Sequence, residues 1–516
     1  MLKKILSYEY TPIIVLLTLC FIVGIFTVKD YGESWDEPPI YDYADYSFQA
    51  YQYILHPQDL QLFPTFSMNL NVYGPAYFMV VDGSSNIIKL VDPSLSIIVA
   101  RHFVYFITFL ISILILYLLS RRWTSKWAAF GAALLFLSQP LLWGHSFMNP
   151  KDLPFMVFFL ASIYFGLQML DASQNSKWKW LIPAGIVLGL AISIRVIGPL
   201  AGFLILIYAV IKFPRKILTV IPYYSLIAGI TTYLTWPYLW KAPIANFFAS
   251  IRVMSDFPET ALVLFMGRLY PANQLPRIFF PTVLGLQLTE PALILITIGF
   301  AVSLWLFIKG KSREPILLFG GWFLAPALWI ILSHSVLYDN ARQLLFLWPP
   351  LFVLAGMGID LLMSFVKLSI LNAVLLIVLV VPGIYDCIQL HPYEYIYYNS
   401  LIGGISGAYR KFELDYWATS FQKSIQYINE QAEPGATIAM ASGSRQVVAD
   451  YARPDLSIGI TNNLNVPQDR TYYILSSTRA NQDLTYCKNI KIVFAVQRDG
   501  AILSYVKQVA PGQTCH

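Results

Sequence analysis

Residues 11–28 read TPIIVLLTLCFIVGIFTV, and residues 30–39, almost directly after them, read DYGESWDEPP. The first stretch carries no charged residue. It approaches the roughly 20 apolar residues that a helix needs to cross a bilayer core about 30 Å thick. No small-residue cleavage site follows it, so it is not interpreted as a signal peptide. The two stretches together predict a membrane span followed by an acidic, aromatic loop at the membrane surface.

The composition of the whole chain points the same way. Of its 516 residues 57% are hydrophobic and 12% are charged, and the mean hydropathy is +0.58. A soluble surface needs roughly 25% charged residues, so most of this chain must be solvated by lipid. An aromatic content of 16% excludes a disordered chain, and the net charge of +6 comes without a basic run that would bind nucleic acid. The sequence therefore predicts a polytopic membrane protein with no nucleic-acid partner.

Ten further apolar stretches follow the first. The predicted fold is an all-α bundle of about 11–13 transmembrane helices, because a further pair of spans could be hidden among the eleven that are visible. The segment 75–91 is interrupted by Asp82 and is interpreted as a re-entrant or interfacial helix. The predicted spans lie near 11–28, 98–119, 127–144, 154–170, 181–194, 197–211, 217–236, 291–308, 315–333, 344–364 and 368–385.

The distribution of Lys and Arg predicts the orientation of the bundle. If Lys3 and Lys4 lie in the cytoplasm, every short loop on that side is basic, and the acidic loops lie on the other side. The amino terminus is then cytoplasmic and the carboxyl terminus is outside. This basic amino terminus and the modest use of cysteine favour the inner membrane of a bacterial cell.

The chain divides into two predicted parts. Residues 1–385 form a membrane domain with external loops at 29–97, 145–153, 237–290 and 334–343. Residues 386–516 have an ordinary soluble composition, with a predicted helix near 418–432 and strand-like runs at 436–442, 471–477 and 491–496. They are predicted to form a small extracytoplasmic α/β domain, in which Cys487 and Cys515 could pair. No CxxC motif or Cys/His cluster indicates a structural zinc site.

The polar motifs converge on the predicted outer boundary of the membrane. Asp36 and Glu37 follow the first span, and a solvated acidic loop is the alternative interpretation of that motif. Arg101 and Arg195 are ionisable groups at or near membrane depth, where such groups indicate function unless they form structural ion pairs. The other candidate residues lie in the second and third motifs, WGHSFMNPKDLPF (143–155) and SHSVLYDNARQLLFLWPP (333–350): His145, Lys151, Asp152, His334, Tyr338, Asp339 and Arg342.

Acids and cations together at that boundary suit a lipid-linked phosphate, because its tail cannot leave the bilayer. Transfer of a sugar from such a donor needs a carboxylate that takes the proton of the acceptor hydroxyl. It also needs Arg, Lys or His to stabilise the negative charge that develops on the phosphate. No glycine-rich phosphate loop, HExxH motif or nucleophile elbow supports nucleotide hydrolysis or peptidase chemistry.

These motifs resemble those of the glycosyltransferases with the GT-C fold that use polyprenyl-phosphate sugars. The closest likeness is to the protein O-mannosyltransferase-like group, glycosyltransferase family 39, and its bacterial relatives. The likeness extends over the whole chain and is carried by SWDEPP (34–39), YGPAYF (73–78), HSFMNPKDLPF (145–155), TWPYLW (235–240), MSDFPE (254–259), LYDNARQLLFLWPP (337–350), HPYEYIYYN (391–399) and FELDYW (412–417).

The resemblance implies an inverting transfer from undecaprenyl- or dolichyl-phosphate sugar at the outer membrane face. By the family pattern Asp36 matches the catalytic base, Glu37 its companion and Asp152 an assisting acid. If a divalent cation such as Mg²⁺ or Mn²⁺ takes part, Asp36 and Asp152 are its expected ligands. No cofactor is otherwise expected.

The remaining predicted site residues rest on charge and side of the membrane rather than on a family motif. Arg342, His334 and Lys151 are the expected phosphate ligands, and the other predicted substrate-binding residues are His145, Tyr338 and Arg101. The chain departs from the animal and fungal mannosyltransferases in its compact tail and in lacking a β-trefoil-like insertion at 237–290. The acceptor therefore stays open between protein, lipid and glycan.

Two rival functions stay open at this stage. A lipid or glycan transporter, or a flippase, should concentrate polar groups and broken helices at mid-membrane, often with inverted repeats. Here the polar motifs cluster on one side and no repeat is visible, which favours the enzyme. The other rival is a catalytically silent scaffold for envelope assembly.

Overall fold

The computed structural model describes residues 9–53, 67–172, 177–255, 257, 261–366, 368–460, 470–485 and 487–513. Lys3, Lys4, Asp256, Glu259 and Cys515 lie outside these ranges. Cys487 is disulfide-bonded, and Cys20 and Cys387 are free thiols.

Each of the eleven predicted spans coincides with helix in the described residues. Within the described ranges, eight helical segments are long and apolar enough to cross a bilayer, and a bent pair makes a ninth if it counts as one span. Two shorter apolar helices, Trp178–Ile194 and Pro199–Lys212, account for the other two predicted spans. The chain is thus an integral membrane protein. The two shorter helices do not reach the length that marks the other helices as spans. The helices of the membrane part are α1 (Thr11–Thr27), α2 (Glu37–Tyr53), α3 (Ala76–Val91), α4 (Ile97–Ser120), α5 (Lys126–Leu137), α6 (Pro140–Met148), α7 (Asp152–Asp171), α8 (Lys177–Ile194), α9 (Pro199–Lys212), α10 (Lys216–Thr219), α11 (Ile221–Thr235), α12 (Pro243–Ser255), α13 (Phe279–Gln287), α14 (Glu290–Ile308), α15 (Gly321–Ser333), α16 (Trp348–Phe365) and α17 (Ser369–Leu390).

Short 3₁₀ and π segments complete several of these helices. The π segment Ile316–Gly320 leads into α15, and the 3₁₀ segment Asp339–Leu347 leads into α16. A two-stranded antiparallel hairpin, β1 (Leu262–Phe265) and β2 (Arg268–Pro271), lies in the loop between α12 and α13.

One predicted span is not a straight helix. The stretch 127–144 forms α5 and α6, which meet at an angle of 63°. Pro140 is the first residue of α6, where its missing N–H and fixed φ suit the start of a new helix rather than the interior of a continuous one. The bend directs α6 and the following loop toward the candidate site.

The helices of the bundle differ in how far they are buried. In the segment Asp339–Phe365, which contains α16, 89% of an apolar stretch of 18 residues is buried. In α7 the buried share of such a stretch is 78%. In α1 and α17 only 22% and 17% are buried. The outer helices thus leave apolar side chains for lipid, while α7 and α16 form the centre of the bundle and bring their ends to the candidate site.

The tail is a small α/β unit, as the sequence predicts. Its helices are α18 (Gly404–Ala408), α19 (Phe421–Gln431) and α20 (Arg445–Tyr451), and its strands are β3 (Thr437–Met440), β4 (Ser457–Ile460), β5 (Tyr472–Ser477), β6 (Ile492–Arg498) and β7 (Ala501–Val509). The sheet order is β4-β3-β5-β7-β6, with β3 parallel to β4 and β5 and the other pairs antiparallel. The last membrane helix extends to Leu390, so the predicted boundary at 385/386 falls inside it.

Close packing in the bundle depends on small residues at helix contacts, as is usual within membranes. A Cβ at Gly299 on α14 would overlap the carbonyl oxygen of Leu354 on α16. We expect Gly299→Ala to cost about 1–3 kcal/mol of stability through overpacking, seen as a lower midpoint of thermal unfolding in detergent.

The matched control is Gly229→Ala on α11, because no atom lies within 4 Å of a Cβ built at Gly229. Alanine favours a helix over glycine by roughly 0.5–1 kcal/mol, so this midpoint should stay level or rise. Equal midpoints for the two variants would contradict the assigned contact between α14 and α16.

Candidate active site

Asp36 lies between two cations from distant parts of the chain. Its Oδ2 is 3.0 Å from Nζ of Lys151 and 3.1 Å from Nη2 of Arg342. The carboxylate is buried. Burial alone would raise the pKa of Asp36, but Lys151 and Arg342 hold it below its ordinary value of 3.8. Asp36 is therefore an ionised carboxylate at neutral pH.

Asp152 lies beside this pair and is the first residue of α7. Its two oxygens accept hydrogen bonds from Arg195 and from Arg342. The turn before α7 is fixed by Asn149, whose side-chain oxygen accepts the backbone N–H groups of Lys151 at 3.0 Å and Asp152 at 2.7 Å. This local turn explains why the motif NPKD presents a cation and an acid side by side.

An unusual turn brings the side chains of Asp339 and Arg342 together. Asp339 and Asn340 have φ values of 50° and 56°, in the left-handed region, which costs energy for residues other than glycine. Asn340 is anchored there, since its amide donates to the carbonyl of Glu413 at 3.0 Å and accepts from the hydroxyl of Tyr398 at 2.8 Å. Arg342 then bonds Asp339 Oδ2 through Nε and Nη2, both at 3.2 Å.

Glu37 turns away from the cations. Its Oε1 accepts the backbone N–H of Ser34 at 2.8 Å and the Ser34 hydroxyl at 3.0 Å, in the manner of a helix capping box. Its Oε2 is 3.1 Å from Nε2 of His102. In this arrangement Glu37 fixes the start of α2 and with it the position of the preceding residue, Asp36.

His145 and Tyr338 lie next to the ion pairs. The ring nitrogens of His145 are 3.0 Å from the Asn149 amide nitrogen and 3.1 Å from the hydroxyl oxygen of Tyr416. The guanidinium carbon of Arg342 lies 5.5 Å from the centre of the Tyr338 ring and 4.7 Å from the Trp417 ring. Aromatic rings thus form the wall behind Arg342.

Two of the predicted site residues lie elsewhere. Arg101 pairs with Asp82 at 2.8 Å and stacks on the ring of Tyr41 at 3.4 Å. His334 is exposed and accepts a hydrogen bond from Nε of Arg277 at 3.3 Å. The structure does not bring either residue into contact with Asp36, and their substrate-binding roles stay predictions.

The chain resembles known proteins both in sequence and in fold. Residues 94–240 match the family model described as dolichyl-phosphate-mannose-protein mannosyltransferase. No curated protein matches the sequence. Among solved structures, ArnT from Cupriavidus metallidurans in the apo state matches with a TM-score of 0.53 and 13% identity, over 96% of this chain and 97% of that one. The same protein bound to undecaprenyl phosphate matches with a TM-score of 0.54 and the same identity and coverage.

The chain has the ArnT-like GT-C fold. The resemblance seen in the sequence motifs is thereby confirmed, as is an all-α membrane bundle with a small α/β tail. The family match over residues 94–240 and the fold both agree with the enzyme class predicted from the sequence, a glycosyltransferase dependent on polyprenyl phosphate.

Three residues of this site receive no assigned role from the sequence: Arg195 and Asp339 are candidates there without a role, and Arg479 is not a candidate. Arg195 stood out as an ionisable group between two short helices, and its pairing with Asp152 gives the reason. Asp339 belongs to a quoted motif but pairs with Arg342 and with Arg479. Arg479 comes from the tail, where a single arginine in soluble-like sequence carries no signal of its own.

The carboxylates do not form a suitable site for a divalent cation. In the described part of the chain no group of three or more His, Cys, Asp or Glu side chains is placed to hold a metal ion. Asp36 and Asp152 each already bind two cationic side chains, and Arg342 lies between them. A divalent ion at this point would have to displace these cations, so the donor set does not fit the Mg²⁺ or Mn²⁺ ligation considered above.

We expect Asp152→Asn to destabilise the protein strongly. The change leaves Arg195 and Arg342 without their shared buried carboxylate, and breaking a buried ion pair costs about 3–5 kcal/mol. Thermal unfolding in detergent should show a much lower midpoint.

Asp171→Asn, at the other end of α7, is the control. Asp171 pairs with Arg122 in a partly exposed position. Such surface pairs contribute at most about 1 kcal/mol, so its midpoint should stay near that of the wild type. If Asp152→Asn melts like this control, the paired carboxylate is not what holds the two arginines.

Proposed function

We propose that this protein is an inverting glycosyltransferase that moves a monosaccharide from a polyprenyl-phosphate donor to an acceptor hydroxyl at the outer membrane face. The observation that carries the proposal is the buried Asp36 carboxylate in contact with both Lys151 and Arg342. The reaction needs a general base and cations that bind the phosphate. Here the carboxylate that can act as the base contacts both cations directly.

In the proposed reaction Asp36 takes the proton of the acceptor hydroxyl. The acceptor oxygen forms a bond to the anomeric carbon of the sugar, on the face opposite the phosphate. The bond between that carbon and the phosphate oxygen breaks, and its electron pair stays on the polyprenyl phosphate. Lys151 and Arg342 stabilise the charge that develops on this leaving group, and attack from the opposite face inverts the anomeric centre.

The ion pairs of Asp36 also suggest how donor binding activates the base. A donor phosphate that binds Lys151 and Arg342 competes with the carboxylate for the same cations. As these cations turn toward the phosphate, Asp36 loses the partners that hold its pKa down. Its affinity for a proton then rises when the donor is in place, which suits a general base.

Asp152 has a supporting part in this proposal. Its carboxylate joins Arg195 and Arg342 and fixes the direction of the Arg342 guanidinium. Glu37 likewise acts by fixing the loop that carries Asp36, through its contacts with Ser34 and His102. Neither acid needs to exchange a proton during the reaction.

The donor class is supported by the similar ArnT structure, which is bound to undecaprenyl phosphate. We propose undecaprenyl-phosphate sugar as the first donor to test, with dolichyl-phosphate sugar as the second. We propose that the reaction takes place on the outer face of a bacterial inner membrane, with the amino terminus in the cytoplasm, and the basic loops support this orientation. The acceptor class stays open between protein, lipid and glycan.

The decisive test is Asp36→Asn. The purified protein is supplied with labelled undecaprenyl- and dolichyl-phosphate sugars and an envelope extract as the source of acceptors, and release of polyprenyl phosphate is measured. We expect turnover to fall about 10²- to 10⁴-fold, which is the usual contribution of a general base. Binding of undecaprenyl phosphate should be kept, because Lys151 and Arg342 lose a competitor.

Asp42→Asn serves as the control, because Asp42 is an exposed acid on α2, in the same external loop. Its turnover should match that of the wild type. Full turnover of Asp36→Asn would remove Asp36 as the base. No release from any donor would instead favour the transporter, flippase or scaffold alternatives.

Chelation provides a separate test of the donor set. Because Lys151 and Arg342 occupy the carboxylate that a metal ion would need, we expect EDTA to leave turnover unchanged. If EDTA abolishes turnover and added Mg²⁺ or Mn²⁺ restores it, a metal ion displaces Lys151 and Arg342 from the carboxylate.

A further inference from the structure

Arg479 is a side chain of the α/β tail that reaches into the candidate site. Arg479 follows β5, and its Nη2 donates to Oδ1 of Asp339 at 2.8 Å. The Arg479 side chain is 12% exposed and that of Asp339 is 2% exposed, so this ion pair is shielded from water. Such a pair interacts much more strongly than one at an exposed surface.

Asp339 is divided between two arginines. Its Oδ1 bonds Arg479 of the tail, while its Oδ2 bonds Arg342 of the membrane domain at 3.2 Å. Arg342 is also one of the two cations that contact Asp36. The tail arginine therefore draws on a carboxylate that would otherwise be available to Arg342 alone.

Arg479 also contacts the loop that carries the proposed base. Its guanidinium carbon lies 4.7 Å from the centre of the Trp35 ring, and Trp35 directly precedes Asp36. The tail holds this loop at a second point, because the hydroxyl of Tyr451 accepts the backbone N–H of Glu33 at 2.8 Å. The loop is thus enclosed between the bundle and the tail.

The turn that carries Arg479 is held by side-chain hydrogen bonds and contains two residues with left-handed backbone conformation. The Arg479 backbone N–H donates to the Ser477 hydroxyl at 3.1 Å. The next two residues, Ala480 and Asn481, have φ values of 48° and 55°, and Arg410 donates to the Asn481 side chain at 3.0 Å. Two consecutive left-handed residues other than glycine cost energy, and such strain clusters at functional sites.

We infer that Arg479 is a positioning residue for the phosphate of the donor, acting through Asp339. By holding Oδ1 of Asp339, Arg479 keeps that acid from pairing with Arg342 through both oxygens. Arg342 then has N–H groups and charge available for a phosphate. The tail domain is accordingly part of the donor site, and this inference rests on the proposed function.

The test measures the affinity of the full-length protein in detergent for undecaprenyl phosphate, with undecaprenol as the lipid without a phosphate. The measurement uses pH 6. Burial raises the pKa of Glu413, near Arg479 and Asp339, to about 7, so at pH 6 this acid is mostly protonated and uncharged. Arg479→Gln should weaken binding of undecaprenyl phosphate about tenfold or more, as expected for a lost charge-assisted contact. Binding of undecaprenol should not change. In the transfer assay the KM for the donor should rise while the KM for the acceptor stays level.

A second variant separates this role from a merely structural one. In Arg479→Gln with Asp339→Asn, the acid that would capture Arg342 is also removed, so affinity for undecaprenyl phosphate should return to near the wild-type value. If Arg479→Gln is not recovered folded, Asp339→Asn alone should bind at least as tightly as the wild type. Weaker binding by that variant, or a double variant as weak as Arg479→Gln, would overturn the inference.

Arg498→Gln is the matched control, because it removes another arginine of the tail, one that joins β6 to the segment after α17 through the carbonyl oxygen of His391. Its affinity for undecaprenyl phosphate should equal that of the wild type. Wild-type affinity in Arg479→Gln would overturn the inference while leaving the proposed function intact. A wild-type protein that does not distinguish undecaprenyl phosphate from undecaprenol would instead overturn the proposed function, and the inference with it.

Discussion

The ion pairs of Asp36 with Lys151 and Arg342 are the contact on which the rest of the site depends. Removing a charged group from water costs several kcal/mol per ion, so a buried carboxylate needs cations with good geometry around it. Lys151 comes from the loop before α7 and Arg342 from the segment before α16. The three loops can meet only because α7 and α16 run through the centre of the bundle and end at the same face.

This constraint explains features that look unrelated along the chain. The Asn149 turn places Lys151 beside Asp152, and the left-handed turn at Asp339 places Arg342 opposite them. Each turn carries strain or a specific cap, and each is held by side-chain hydrogen bonds. The same buried pairs that stabilise the fold also prepare cations for an anionic group, since a phosphate can replace a carboxylate as their partner.

The junction between the membrane domain and the tail has a comparable double role. The segment 391–417 supplies the aromatic wall behind Arg342, including Trp417, and anchors the Asp339 turn through Tyr398. An interfacial aromatic belt would account for the composition of this segment but not for its contacts. Its rings are buried between the two domains, which lets the tail place Arg479 against Asp339.

The sequence by itself determined the membrane class, the positions of the apolar helices and the residue types in the polar motifs between them. These follow from local properties, because an apolar run of bilayer length must be a helix and an ionisable group at that depth needs a partner. Pro140 as the first residue of α6 also marks locally where one predicted span bends. Only the tertiary structure decided which cation meets which acid. It joined Arg195 to Asp152, Arg479 to Asp339 and Arg101 to Asp82. Ion pairs between residues far apart in the chain depend on how the helices pack, and the spacing of residues along the sequence does not specify that packing.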